Sequence, residues 1–178
     1  MHLEEKTLSS EQKFDGIVVK LFVDKVELED GREATREVIK HPGGVCVVPV
    51  DDEGRIYMVR QMRYPFKTVL TEIPAGKLEY GEDPRTCGIR ELKEEIGAEA
   101  GSFEYLGCLY PTVAYDTEII HMYLARDLSF GDQDLDEDEF IDVVRLPFAE
   151  ALEMVYENKL PDSKTQLAIL KAARLLNG

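Results

Sequence analysis

The sequence predicts an α+β fold, a helix–sheet–helix sandwich with extra antiparallel strands at its start. Short β-rich runs broken by turn residues fill most of the chain, and only three stretches read as helices, at about 84–96, 148–158 and 163–176. Hydrophobic residues make up 44% of the 178, enough for a true core and for one domain with a small appendage.

FDGIVVKLFV (14–23) is β-rich, and VELEDGREATREVI follows with an Asp30-Gly31 turn between extended runs, a hairpin signal. HPGG at 41–44 punctuates the chain, setting residues 1–42 apart as a hairpin subdomain from a main domain at 43–178. Hairpins that short cannot bury a core alone, so they are expected to pack on the main domain or on a second chain. VCVVPV (45–50) reads as a buried strand, and DDEG (51–54) turns the chain into another, RIYMVRQM (55–62). A loop with Tyr64, Pro65 and Phe66 leads to VLTEIPAG. Asp83-Pro84 then opens a helix, Asp as cap and Pro at the first position, and Gly97 stops it. Further strands are expected around 103–109 and 118–126, and the acidic loop GDQDLDEDE (131–139) precedes FIDVVRL. Of the two closing helices, the last has Asp162 as its expected N-cap.

The chain carries 36 Asp and Glu against 21 Lys and Arg, a net charge of −15. That argues against nucleic-acid and anionic-membrane partners, which need a basic footprint. An anionic small substrate stays open if local cations hold it. Cys46, Cys87 and Cys108 are odd in number and lack a CxxC pair, and His2, His41 and His121 are scattered. Neither a disulfide framework nor a Cys/His zinc site is expected. Cys46 and Cys108 are expected to be buried, and His41 and His121 to be turn and strand residues. The free thiols, the polar acidic start MHLEEKTLSSEQKF and the lack of any apolar run near the roughly 20 residues that span a bilayer predict a cytoplasmic protein.

GKLEYGEDPRTCGIRELKEEIGA (76–98) crowds Glu91, Glu94 and Glu95 onto one short helix of an already acidic chain. At roughly 100° per residue, Ile89, Leu92 and Ile96 share a core stripe, with the three glutamates opposite. Like charges three and four apart repel. Either this is a solvated face, or the carboxylates converge on something positive. Hard oxygen ligands suit Mg²⁺ or Mn²⁺ rather than zinc. The glycines of the preceding loop, Gly76 and Gly81, let the backbone pass close to another group.

Gly76, Glu82, Arg90, Glu91, Leu92, Glu94, Glu95, Gly97 and Ala98 fill every fixed position of G-x5-E-x7-R-E-U-x-E-E-x-G-U, where U is apolar. The segment thus resembles the box of the Nudix hydrolase family. The resemblance implies the Nudix fold, an α/β/α sandwich with a mixed sheet in which the box is loop–helix–loop. It also implies hydrolysis of a nucleoside diphosphate linked to another moiety. REVIKHPGG (36–44), VRQMRYP (59–65), EIPAGKLEYGE (72–82), EIIHMYLA (118–125) and LDEDEFIDV (135–143) resemble the ADP-ribose pyrophosphatase branch. That likeness runs from about residue 14 to 176. In the branch the first strands reach across to a partner, which implies a homodimer. One departure is Val113-Ala114, where the branch usually has Pro-Gly in a loop near the substrate.

By this resemblance Glu91 and Glu95, then Glu94 and the Ala75 carbonyl, are the expected ligands of Mg²⁺ or Mn²⁺, which must bridge to a substrate bearing two negative charges. Arg90 and Glu82 are expected to form a supporting ion pair. The general base is expected in the acidic loop, Glu139 first and Glu137 second, with Glu94 of the box as the other source. Arg63 matches a phosphate clamp, Arg36 and Glu37 match positions that contact the adenosine side from the partner subunit, and Glu118 matches a ribose-side acceptor. Plainer readings stay open: a strand-edge arginine at Arg63, a hairpin ion pair at Arg36 and Glu37, a solvated charge run in the acidic loop. Phe14 is assigned to core packing ahead of stacking on adenine. The activity implied is Mg²⁺-dependent hydrolysis of ADP-ribose to AMP and ribose 5-phosphate. Val113-Ala114 leaves another nucleoside diphosphate sugar or a dinucleotide open as substrate. A non-catalytic sensor of ADP-ribose-like ligands is the third reading.

Overall fold

A computed structural model describes residues 2–135 and 140–176. The chain divides into two compact units. The first comprises Met1–Gly43 and Tyr110–Ile119. In it β1 (Lys6–Asp15), β2 (Lys20–Glu27) and β3 (Glu33–Ile39) pair antiparallel in chain order. Gly31, at φ +80°, makes the turn from β2 to β3, with its N–H on the Leu28 carbonyl at 2.9 Å. The segment 110–119, read from sequence as part of the main domain, joins this unit through the main chain: Ile39 N–H donates to Tyr115 O at 2.7 Å, and Thr117 N–H to Ile39 O at 3.0 Å.

Strand β1 starts eight residues before the β-rich run at Phe14 that the sequence advertised, since 14 − 6 = 8. All ten of its side chains are exposed, so it has no alternation of apolar and polar residues to betray it. The same exposure corrects the expectation for Phe14. Its ring is 57% exposed and lies over Gly16 rather than in a core.

The second unit comprises Gly44–Leu109 and Ile120–Gly178. It holds a mixed four-stranded sheet in the order β7 (Ala75–Lys77), β4 (Gly44–Pro49), β9 (Ile120–Phe130), β8 (Ala98–Leu109). Only the β4–β9 pair is parallel. A second, antiparallel sheet runs β10 (Ile141–Pro147), β5 (Arg55–Arg63), β6 (Thr68–Glu72). The helices are α1 (Pro84–Ile96), α2 (Phe148–Tyr156) and α3 (Ser163–Leu176).

Strand β4 is buried at every position because both of its faces are covered. Cys46 and Val48 point into a core shared with Ile169 and Ala172 of α3. Val47 points the other way, to Leu92 and Ile96 of α1, and Val45 to Cys87. Strand β9 divides likewise, with Met122 and Leu124 on the α3 side and Tyr123 and Ala125 on the α1 side. The sheet between helices that the sequence implied is therefore present.

Helix α1 begins and ends where the sequence placed it. Asp83 Oδ1 accepts the Thr86 N–H at 3.0 Å, and Gly97 closes the helix at φ +65°. Its buried face differs from the expected stripe. Cys87, Gly88, Leu92, Glu95 and Ile96 are buried, whereas Ile89 is 39% exposed. Close approach explains the shift: a Cβ on Gly88 would stand 2.9 Å from Phe103 Cζ and 3.0 Å from Val45 Cγ2. At α3 the expected cap forms, Thr165 N–H donating to Asp162 Oδ2 at 2.9 Å.

The three cysteines are free. Burial pushes the thiols of Cys46 and Cys87 up to about 12. Cys108 is exposed, against expectation, because its outward side of β8 is left uncovered. No helix among the described residues is long and apolar enough to cross a membrane.

Candidate active site

The site grows from the junction of β7 and α1. Between them the chain closes a tight loop: Glu82 N–H donates to Glu79 O at 3.1 Å, and Glu79 N–H to Glu82 Oε2 at 2.9 Å. This loop turns the chain so that the later turns of α1 lie over Ala75 and Gly76. The Glu91 carboxylate rests directly on Gly76, where an added Cβ would stand 1.9 Å from Glu91 Cδ and Oε1. One residue earlier, Ala75 N–H donates to Glu95 Oε2 at 3.1 Å. Two carboxylates one helical turn apart thus meet consecutive residues of one strand.

Glu95 is only 4% exposed. It does not sit opposite Leu92, as the helical projection suggested, but is drawn into the protein by the Ala75 amide. A backbone donor from a neighbouring strand satisfies it there.

Arg90 stands among the other carboxylates. Its Nε lies 3.2 Å from Glu82 Oε1, and its Nη1 lies 2.8 Å from both Glu91 Oε1 and Glu94 Oε2. The expected Arg90–Glu82 pair is therefore present, within a larger cluster. Burial alone would lower the Arg90 pKa, but the Glu82 hydrogen bond, the Glu91 charge and the Glu94 hydrogen bond raise it above the ordinary value. The hydrogen bonds from Arg90 and from the Glu79 backbone hold the Glu82 carboxyl below its ordinary range. Over residues 76–98 six carboxylates stand against four Lys and Arg, a net charge of −2, 6 − 4 = 2, and four of the carboxylates (Glu82, Glu91, Glu94, Glu95) gather around Arg90 and Ala75-Gly76.

That excess, with carboxylate oxygens and the Ala75 carbonyl as donors, fits a hard divalent cation in its chemistry. Among the described residues no three acidic, His or Cys side chains are gathered as a ready-made cage. Glu91 and Glu94 instead face Arg90, and Glu95 faces the Ala75 amide.

The phosphate-clamp candidate Arg63 lies at the end of β5, where β6 pairs with it. It makes a two-pronged ion pair with Glu72, Nε to Oε1 and Nη2 to Oε2, each at 2.7 Å. Glu72 also receives Lys164 Nζ of α3. Burial alone would raise the Glu72 carboxyl, but the hydrogen bonds and charges of Arg63 and Lys164 hold it below the ordinary value. Neither Glu72 nor Lys164 was singled out from sequence. The available signal was an acidic residue inside the apolar run VLTEIP.

Three candidates belong to the first unit. Arg36 pairs with Glu5, its Nε donating to Oε2 at 2.9 Å and its Nη2 to Oε1. Glu37 is exposed on β3. Glu118 Oε1 lies 3.6 Å from His41 Nδ1.

The base candidates Glu137 and Glu139 lie outside the described residues. The segment leading to them is tied to the end of α1. Gly131 N–H donates to Gly97 O at 2.7 Å, Asp134 N–H to Glu94 O at 3.1 Å, and Gln133 Nε2 to Glu95 O. Gln133 and Asp134 thereby occupy carbonyls that the last turn of the helix leaves open. Sequence reasoning passed over both as members of an acidic run.

Residues 40–167 match the NUDIX domain family, and residues 5–39 match the nucleoside diphosphate sugar hydrolase N-terminal domain. The chain is 47% identical over 168 residues to a methanol dehydrogenase activator of Bacillus methanolicus, covering 93% of this chain and 91% of that protein. It is 44% identical over 169 residues to an ADP-ribose pyrophosphatase of Bacillus subtilis (strain 168), covering 94% and 91%. The fold matches a crystal structure of an ADP compounds hydrolase with a TM-score of 0.88 at 20% identity, over 100% of this chain and 97% of that one.

Proposed function

The chain belongs to the Nudix hydrolase family, and on that premise we propose that it cleaves ADP-ribose to AMP and ribose 5-phosphate with Mg²⁺ or Mn²⁺. The observation that carries this reading is the convergence of Glu91 and Glu95 on Ala75-Gly76, in a chain closely similar to an ADP-ribose pyrophosphatase.

Glu91, Glu95, Glu94 and the Ala75 carbonyl would hold the cation. When bound there, it would neutralise the diphosphate and acidify an attacking water. Arg90, gripped by Glu82, keeps the box carboxylates in place. Arg63 binds diphosphate oxygens. Glu139 takes the proton of the attacking water, with Glu137 second in line and Glu94 the other source. Water adds to one phosphorus, the bridging P–O bond breaks, and the second phosphate leaves with that oxygen. Arg36 and Glu37 bind the adenosine side and Glu118 the ribose, within a cytoplasmic homodimer.

The test is AMP release from ADP-ribose and Mg²⁺ by wild type and by Glu95→Gln. Wild type should exceed the variant by about 10²-fold or more, the scale seen when a positioned charge is lost at a reacting centre. Equal rates would sink the reading.

A second reading is favoured by Val113-Ala114. Val113 is 84% exposed in the segment that departs from the Pro-Gly pattern of the ADP-ribose pyrophosphatase branch. The protein would then prefer another nucleoside diphosphate sugar. A panel ranked by kcat/KM decides, and a tenfold preference over ADP-ribose would replace the first reading with this one.

A further inference from the structure

Glu72 is a carboxylate with 2% of its surface exposed, at the end of β6. A buried charge persists only when closely paired. Both of its oxygens are taken: Oε1 by Arg63 Nε, Oε2 by Arg63 Nη2 and Lys164 Nζ. Lys164 Nζ also lies 3.0 Å from Asp162 Oδ2. The frame closes through Thr165. Its N–H and hydroxyl donate to Asp162 Oδ2 at 2.9 and 2.6 Å, and its Oγ1 accepts the Ile73 N–H at 3.1 Å. Glu72 to Ala75 are consecutive, so four residues join this frame to the Ala75 amide that holds Glu95.

The geometry leaves Arg63 half used. The Nε/Nη2 edge of its guanidinium is spent on Glu72, while Nη1 makes no bond among the described residues. The side chain is 38% exposed. The Glu72 hydrogen bond, and further out the charges of Asp162 and Glu95, hold the Arg63 proton more tightly than usual. Glu72 alone would cancel the Arg63 charge seen by an anion. Lys164 draws on the same carboxylate from the other side and Asp162 in turn faces Lys164, so the frame of two cations and two anions is neutral, 2 − 2 = 0, and the outer Arg63 edge is left to bind through its hydrogen bonds.

We propose that Glu72 is a positioning residue for the diphosphate of the substrate: it pins one edge of the Arg63 guanidinium and presents the other edge to phosphate. This rests on the reading of Arg63 as the phosphate clamp. A free arginine side chain would lose much rotamer entropy on binding, and one already fixed by Glu72 loses less.

The test is a double-mutant cycle of Glu72→Gln and Arg63→Met, read as dissociation constants. The probes are α,β-methylene-ADP-ribose and bare methylenediphosphonate, neither of which is turned over. Glu72→Gln should weaken both probes about tenfold, the scale of one charge-assisted contact, and should add nothing once Arg63 is Met. Thermal unfolding of each variant accompanies the titrations. Should Glu72→Gln not fold, Glu72→Asp draws the guanidinium back by one methylene and is expected to weaken binding with the fold kept. Losses that multiply independently in the double variant would overturn the proposal, as would Arg63→Met binding both probes normally. If methylenediphosphonate shows the coupling while the ADP-ribose analogue does not bind, the proposal stands and the choice of ADP-ribose as substrate fails.

Discussion

Gly76 matters for the space it leaves, which the Glu91 carboxylate fills. In Gly76→Ala the new methyl and the carboxylate cannot both stay, and the flexible glutamate is the one to move. The fold should survive, with kcat/KM for the substrate falling about 100-fold, as expected for a catalytic group displaced by about 1 Å. Circular dichroism and steady-state kinetics together check this, and unchanged kcat/KM would show that Glu91 need not sit there. Glu95 teaches the complementary lesson. Its inward carboxylate accepts from an amide of strand β7, so the helical period could count it among the charged residues but could not see it turned inward. Glu72 escaped notice for a related reason, because its partners come from two other elements, Arg63 of β5 and Lys164 of α3.

Helix α1 was legible because its boundaries are written locally, in Asp83-Pro84 and Gly97. Its buried face was not, since Gly88 lies inward only because Phe103 and Val45 come so close. Strand β4 was legible from its unbroken apolar run, while β1, exposed along its whole length, left no periodic trace before Phe14. The end of α1 carries its own prediction. A Cβ at position 97 would sit at φ +65° and 2.5 Å from the Gly131 carbonyl oxygen, which is backbone and has little room to yield. Gly97→Ala should therefore cost about 2–3 kcal/mol in urea unfolding, more than the strain of the left-handed conformation alone. Activity should fall as well, since the displaced segment carries the Gln133 and Asp134 contacts to the helix. A loss below 1 kcal/mol would mean the two segments separate easily.

Acid should weaken the molecule through Glu72. Its folded carboxyl is held below the ordinary value of 4.5, so on acidification the unfolded chain takes up the proton first. This contribution is complete above about pH 4.5 and is lost as pH falls through the lower, folded value. Melting temperatures between pH 6 and 3 should fall less steeply for Glu72→Gln than for wild type, and parallel curves would place the acid sensitivity elsewhere.

Strand β1 keeps no side chain from water, and Val26 is the single fully buried hydrophobic side chain among the described residues of the first 43. In the homodimer proposed above, such a sheet would gain stability by mass action as the second copy covers it. Dilution then becomes a denaturant. From micromolar to nanomolar concentration the first strands should turn into a protease-sensitive leader, trimmed ever faster as the solution thins, and a cleavage rate indifferent to concentration would mean the sheet persists without company.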